Sequence, residues 1–307
     1  MELIRGLGNA GRLASGCVVT IGTYDGIHLG HQALLARLKE HAVRRREPAV
    51  LLTFEPMPRE YLAPNDPPAR LTSLRERWRI LSGTGLDYLW LLRFGGALRN
   101  LPGEAFAQLL ARELHPRLVV VGHDFRFGRN GEGTVAVLAA AGTRLGFDVD
   151  VLAPVMLDGE RISSSGVRAA LERGDFERAR RWLGRPWSMR GRVMPGKGLG
   201  RDLGFPTANL PLERRRAPVA GIFAVRVHGV GGAVLPGVAS LGTRPTVAGV
   251  EALLEAHVFD FCGDLYGREI EVEFVAKLRD EICFMTLEAL TAQVRRDAAD
   301  ARRILDC

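Results

Sequence analysis

The sequence predicts an α/β domain followed by a smaller antiparallel β domain that ends in a helix, and three observations carry that prediction. Through the first part, short apolar runs alternate with amphipathic stretches; beyond Leu183-Gly184-Arg185-Pro186 the runs are β-like, closely spaced and punctuated by glycine. The final stretch carries apolar residues at helical intervals. A chain of 307 residues, 47% of them hydrophobic, is long enough for two buried cores.

In order, Val18 to Gly22, Ala49 to Phe54, Tyr88 to Phe94, Leu118 to Gly122 and Asp148 to Ala153 read as strands, with helical patterns in the gaps. Strands alternating with helices imply βαβ units and a parallel sheet covered on both faces. This domain is expected to span residues 1–184 and the second residues 185–307. In the second, Met189 to Val193, Gly221 to His228, Val234 to Leu241, Glu255 to Asp260 and Ile270 to Phe274 are the strand candidates. Such a series favours an antiparallel barrel or sandwich. Thr286 to Leu305 closes it as a helix, with Leu287, Leu290, Val294 and Ile304 on its apolar side.

Composition narrows the function classes. No apolar run reaches the roughly 18 residues of a membrane span, so neither a span nor a signal segment is expected, and the cytoplasm is the expected compartment. Cys17, Cys262, Cys283 and Cys307 are too scattered for a disulfide framework or a zinc knuckle. The formal charge is +7, but Lys39, Lys197 and Lys277 are the only lysines. The densest arginine clusters, Arg44-Arg45-Arg46 and Arg214-Arg215-Arg216, lack interleaved aromatics and read as solvated faces. Small anionic molecules, rather than nucleic acid or membrane, are the expected partners; oligomeric state is not specified.

The first chemical constellation is Ile21-Gly22-Thr23-Tyr24-Asp25-Gly26-Ile27-His28-Leu29-Gly30-His31, which runs from a strand end into the helical pattern Gln32 to Arg46. Two imidazoles at a helix start can donate to phosphate oxygens where unpaired N–H groups and the helix dipole favour the same anion. Gly30 lets backbone approach closely. No P-loop is present. Ser164 and Arg168, in Ile162-Ser163-Ser164-Ser165-Gly166-Val167-Arg168, form a second candidate phosphate grip at a helix start. Asp124 and Arg126 follow the strand ending at Gly122, where α/β sheets present ligand loops, while Phe125 and Phe127 read equally as core.

The second constellation runs from Gly196-Lys197-Gly198-Leu199-Gly200-Arg201 to Gly204-Phe205-Pro206-Thr207-Ala208-Asn209. Backbone amides with Lys197 and Arg201 can wrap phosphates, and the Thr207 hydroxyl and Asn209 carbonyl are hard oxygen donors suited to Mg²⁺.

A His-x-Gly-His turn in an α/β domain resembles the nucleotidyltransferase superfamily. Gly204-Phe205-Pro206-Thr207-Ala208-Asn209, with Gly237-Val238-Ala239 and Gly242-Thr243-Arg244-Pro245-Thr246, resembles riboflavin kinase. From Ile21 to about Arg302 the chain is similar to the prokaryotic bifunctional riboflavin kinase/FMN adenylyltransferase, or FAD synthetase, family. The resemblance implies a Rossmann-like α/β nucleotidyltransferase domain and a C-terminal antiparallel β-barrel riboflavin kinase domain. It implies that the barrel phosphorylates riboflavin to FMN with Mg²⁺ and ATP, and that the first domain transfers AMP from ATP to FMN, giving FAD and pyrophosphate. By the same resemblance His28, His31, Ser164 and Arg168 serve the ATP phosphates with Gly22 and Gly30. Asp124 and Phe125 lie in the substrate loop, Gly196, Lys197, Gly198 and Arg201 hold the kinase phosphates, and Thr207 and Asn209 hold the metal. Glu255 of Glu255-Ala256-His257 is the implied general base, and His257 need do no more than pack.

The pattern departs from the family at Thr23-Tyr24, where Asn-Phe is usual, and at Met57, Pro195 and Phe223, where His, His and Tyr are common. Two rival readings remain: a nucleotidyltransferase for another acceptor, and a flavin- or RNA-binding regulator that keeps the scaffold without the chemistry.

Overall fold

Strands form where β-branched and apolar residues run together, and in the first half their neighbours alternate between two buried faces. The computed structural model describes residues 1–307 except 14, 197–198, 213, 215 and 247–248. Contacts divide the chain into two compact units, residues 1–68 with 77–163 and residues 69–76 with 164–307.

The first unit comprises β1 (Glu2–Arg5), β2 (Cys17–Ile21), α1 (Leu29–Arg45), β3 (Ala49–Glu55), α2 (Pro58–Leu62), most of α3 (Leu74–Ser82), β4 (Tyr88–Arg93) and α4 (Gly96–Arg99). It continues through α5 (Gly103–Leu114), β5 (Pro116–Gly122), α6 (Val135–Leu145), β6 (Asp148–Leu152), β7 (Met156–Leu157) and β8 (Glu160–Arg161). The main sheet has the order β1-β4-β3-β2-β5-β6 with every pairing parallel. Val19, Leu52, Trp90 and Val119 pack with Phe106 and Leu110 of α5 on one face. Their chain neighbours Val18, Leu51, Leu89 and Val120 pack with Leu35 and Leu38 of α1 on the other. The chain moves outward from β2 through β3 and β4, then returns to β5, so the strand order reverses beside β2. That reversal opens a crevice at the strand ends, the usual place for a ligand on an open α/β sheet. Strand β1 was not anticipated, because glycines interrupt its surroundings.

The second unit contains α7 (Ser164–Glu172), α8 (Phe176–Leu183), β9 (Ser188–Arg192), α9 (Leu199–Asp202), β10 (Ala208–Pro211), β11 (Gly221–Val230), β12 (Ala233–Thr246), β13 (Gly249–Val258), β14 (Glu269–Arg279) and α10 (Leu287–Leu305). Its antiparallel sheet has the order β10-β13-β12-β11-β14-β9. A bridge between Met194 and Asn209 joins the two edges and closes the barrel. Thr286 caps α10 through a hydrogen bond from the Ala289 amide at 3.2 Å. The four-residue β10, also unanticipated, lies in a Gly-Pro-Asn-rich stretch that reads as a turn.

Two sequence readings are corrected by packing. Arg214 was expected on a solvated face, yet it is buried, and its Nη2 donates to Glu76 Oε2 at 2.6 Å. Glu76 also accepts from the Ser73 and Arg190 amides at 2.6 and 2.8 Å. Trp187 Nε1 donates to Leu71 at 3.2 Å, so segment 69–76 is built into the second unit. The helical pattern Gln32 to Arg46 begins three residues earlier in the structure, because His28 is itself the cap.

Removing one member of a buried ion pair leaves the other unsolvated, at a cost of about 3–5 kcal/mol. Glu76→Ala is therefore expected to lower the urea midpoint of the second unit's transition by that equivalent; an unchanged midpoint argues against the pair's structural role.

Candidate active sites

The turn after β2 is compact and strained. Tyr24, Gly26 and Ile27 take positive φ values of 51°, 81° and 45°. For a β-branched residue such as Ile27 this conformation costs about 1–3 kcal/mol. Complete burial of Tyr24 and Ile27 offsets it. The Tyr24 hydroxyl finds Thr20 Oγ1 at 2.8 Å, so the departure from Phe at position 24 leaves no orphaned polar group. Arg77, almost wholly buried, donates to the Thr23 carbonyl at 2.8 Å and to Glu55 at 2.6 Å, pinning the turn from α3. Its place on an amphipathic helix reads as solvent-facing from sequence, so it was missed. Buried Asp25 was missed as well.

This turn delivers both histidines to the start of α1. His28 caps the helix: its Nδ1 accepts from the His31 amide at 3.3 Å, which puts the neutral ring's hydrogen on Nε2. The two rings stack with centroids 3.7 Å apart and 14° between planes. His31 Nδ1 is sealed from solvent without a hydrogen-bond partner among the described residues. Burial, and then the charge His28 would carry, push the His31 pKa well below its ordinary value. His31 is therefore neutral at pH 7. A Cβ on Gly30 would lie 3.1 Å from the His28 ring, and one on Gly22 would lie 3.0 Å from the Tyr24 ring.

The other sequence-predicted residues of this reaction are placed as follows. Asp124 is exposed and ion-paired with Arg161; burial alone would raise its pKa, but Arg161's hydrogen bond and charge hold it below the usual carboxylate range. Phe125 is half-buried and stacks on buried Phe127, with centroids 5.5 Å apart. Ser164 begins α7, and Arg168 Nε donates to the Ala69 carbonyl at 2.5 Å within the second unit.

In the barrel unit, register assembles the other site. Asn209 of β10 pairs with Glu255 of β13, Glu255 with Ser240 of β12, Ser240 with Ile222 of β11, and Ile222 with Arg279 of β14. These five residues form one row on a wall of a cavity of about 520 Å³. The opposite face of the same strands, with Phe223, Leu241, Leu254 and Ala256, is fully buried. Phe223 packs edge-on against Phe176 and Phe274, which accounts for an apolar ring at that position. Leu290, Val294 and Asp297 of α10 line the cavity from the other side. Asp297 accepts from Arg279 Nη2 at 2.6 Å and Nε at 2.9 Å, joining α10 to the row. Asp297 lies on the helix's apolar stripe, a position that could have flagged it.

Asn209 is tightly set. The Met194 amide donates to its carbonyl at 2.9 Å, and its Nδ2 donates to the Thr207 carbonyl at 3.2 Å, which leaves Oδ1 as an acceptor. A Cβ on Gly196 would approach that Nδ2 to 2.4 Å. Arg201 reaches the Tyr266 hydroxyl at 3.1 Å on the cavity wall. Lys197 and Gly198, also predicted for this site, lie outside the described residues.

The histidine-capped turn of the first unit and the polar cavity wall of the second are two candidate sites on one chain, the arrangement of a bifunctional transferase, and comparison with known proteins also finds two parts. A family model described as FAD synthetase matches residues 11–166, and one described as riboflavin kinase matches residues 183–305. The chain is 45% identical to the bifunctional riboflavin kinase/FMN adenylyltransferase of Escherichia coli (strain K12), over 98% of this chain and 97% of that protein. It is 46% identical to the Pseudomonas fluorescens protein of the same description, over 99% and 98%. A crystal structure described as a macrolide-efflux protein from Streptococcus pneumoniae superposes with a TM-score of 0.80 at 30% identity, covering 98% of this chain and 99% of that one. The chain belongs to the bifunctional riboflavin kinase/FMN adenylyltransferase family. No helix among the described residues is long and apolar enough to cross a membrane.

A histidine kept neutral by folding binds fewer protons than its unfolded counterpart, so it makes stability fall as pH drops below about 6.5. The first unit is expected to lose stability more steeply below that pH than a His31→Gln variant, compared by thermal unfolding at matched pH values. Parallel curves for the two proteins would remove this assignment.

Proposed function

We propose that this chain makes FAD in two steps, riboflavin to FMN in residues 185–307 and FMN to FAD in residues 1–184. Family membership over nearly the full length of both relatives supports the pair of activities. The single observation that carries the site assignment is the barrel row, which sets a carboxylate opposite an amide oxygen donor on one cavity wall.

In the kinase step, Glu255 accepts the proton of the ribityl 5′-hydroxyl as that oxygen bonds to the γ-phosphorus of ATP and the γ-phosphorus–oxygen bond to ADP breaks. Directly opposed residues on paired strands have Cβ atoms about 4.5–5.5 Å apart, so Glu255 sits beside the phosphate end of the site. Thr207 and Asn209 fit Mg²⁺: both offer neutral hard oxygens, and the Asn209 amide is turned by its own bond to Thr207 so that oxygen remains available. Bound there with ATP, the ion supplies charge neutralisation for the transferred phosphoryl group. Gly196, Lys197, Gly198 and Arg201 are assigned to the ATP phosphates.

In the adenylyl step an FMN phosphate oxygen bonds to the α-phosphorus of ATP and pyrophosphate leaves. His28 presents an Nε2–H and a helix N-terminus to the phosphates, and His31 backs it as a neutral, stacked ring. Ser164 and Arg168 keep their assignment as a phosphate grip at the start of α7, and Gly22 and Gly30 admit the backbone in the turn before α1. Asp124 and Phe125 are assigned to the substrate loop, and the Asp124–Arg161 pair keeps that carboxylate from facing phosphate alone. Dependence on ATP at both sites supports the cytoplasm as the compartment.

Purified protein given riboflavin, ATP and Mg²⁺ is expected to yield FMN and then FAD on chromatographic separation; folded protein that makes neither overturns the reading. His28→Ala should lower FMN adenylylation by about 10²–10³-fold, the usual effect of losing one preorganised donor, and leave riboflavin phosphorylation intact. Asn209→Ala should do the reverse. If either variant lost both activities while folded, the division into two sites would fail.

A further inference from the structure

His257 lies two residues beyond Glu255 on β13, so both side chains leave the same face of the strand. Nothing in the chemistry above uses it, yet its ring lines the cavity and its Nδ1 lies 2.8 Å from the Pro206 carbonyl oxygen. A carbonyl oxygen only accepts, so Nδ1 carries a hydrogen and donates it whether the ring is neutral or cationic. Phe205 and Phe259 meet the imidazole nearly edge-on, with centroids 5.4 and 5.7 Å away, and hold the ring's plane.

The bond falls at an informative place. Pro206 immediately precedes Thr207 and has no N–H, so its carbonyl is the one backbone group of that residue by which the loop can be held. On either side, the Phe205 amide donates to the Gly200 carbonyl at 2.7 Å and Asn209 Nδ2 donates to the Thr207 carbonyl at 3.2 Å. His257 thus supplies the middle of three successive restraints. Of the three it is the one whose donor stands on the strand carrying Glu255.

We propose that His257 is a positioning residue for riboflavin phosphorylation: its Nδ1–H holds the Pro206 carbonyl so that the Thr207 hydroxyl and Asn209 oxygen meet Mg–ATP together, in register with Glu255. This rests on the assignment of Thr207 and Asn209 made above. It gives His257 no contact with the flavin and no proton to transfer.

The test measures riboflavin phosphorylation by the full-length protein, varying Mg–ATP and riboflavin separately, for His257→Ala, His257→Asn, His257→Gln and, alongside, Asn209→Ala. His257→Ala should raise KM for Mg–ATP about five- to tenfold, the effect of one lost hydrogen bond, and leave KM for riboflavin within about twofold. The Asn side chain places an N–H near the Nδ1 position and should restore most of the loss; Gln, whose amide reaches further, should not. A changed riboflavin KM with an intact Mg–ATP KM overturns the proposal, as does an Asn variant no better than Gln. If Asn209→Ala weakens Mg–ATP and His257→Ala does not, the proposal alone fails. If neither does, the metal-site assignment fails and takes the proposal with it. Should the alanine variant not fold, the comparison of Asn with Gln decides.

Discussion

The polar row on the barrel's cavity wall depends on the register of β10, β13 and β12. Asn209, Glu255 and Ser240 come from distant parts of the chain and share one face only because each is directly opposite the next. A slip of one residue on β13 would send Glu255 into the barrel interior and bring Leu254 or Ala256 to the cavity. What prevents the slip is the other face. Leu210, Leu254 and Leu241 pair across the same three strands and are fully buried, and exposing such a side chain costs about 1.5–3 kcal/mol. Positions that do no chemistry thereby fix those that do.

The turn before α1 uses a different device toward the same end. There is no ladder to fix a loop, so position comes from a cap, a stack and burial. His28 is held by closing the first turn of α1, His31 by lying on His28, and the turn before them by the complete burial of Tyr24 and Ile27. Arg77 replaces the missing ladder by taking the Thr23 carbonyl as a hydrogen-bond acceptor. The residue identity at position 23 therefore matters less to the turn's shape than its backbone oxygen does, which is why Thr can stand where Asn is usual.

Most of the fold was legible in the sequence because it is written in local period. All but one strand of the main parallel sheet, the closing helix and the change of character near Leu183 followed from apolar spacing. The strands that escaped are short: β7 and β8 have two residues each, and β1 and β10 have four and sit among Gly, Pro and Asn, where a short extended segment and a turn share one composition. The motif residues His28, His31, Thr207 and Asn209 were legible because their spacing is unusual. Arg77, Arg279 and Ser240 were not, since each gains its meaning from a partner on another element, whereas Asp297 stood out only as a charge on an apolar stripe. Segment 69–76 is the extreme case: no local pattern announces that it packs with residues beyond 163.

The same partners show what some of the arginines do. Arg77 meets Glu55, Arg214 meets Glu76, Arg279 meets Asp297, and Arg302 meets Asp260. Three of these pairs include a side chain withdrawn from water, where a planar, always-charged fork keeps its hydrogen bonds better than a strongly hydrated ammonium. Three of the four arginines also donate to main-chain carbonyls of their own unit, Arg77 to Thr23, Arg214 to Arg70 and Arg279 to Asp280. Lysine, a compact point charge, could neutralise one partner in each case but could not span carboxylate and carbonyl with one rigid group. Part of the basic composition is thus architecture, with guanidinium groups serving as cross-links between elements that neither sheet joins.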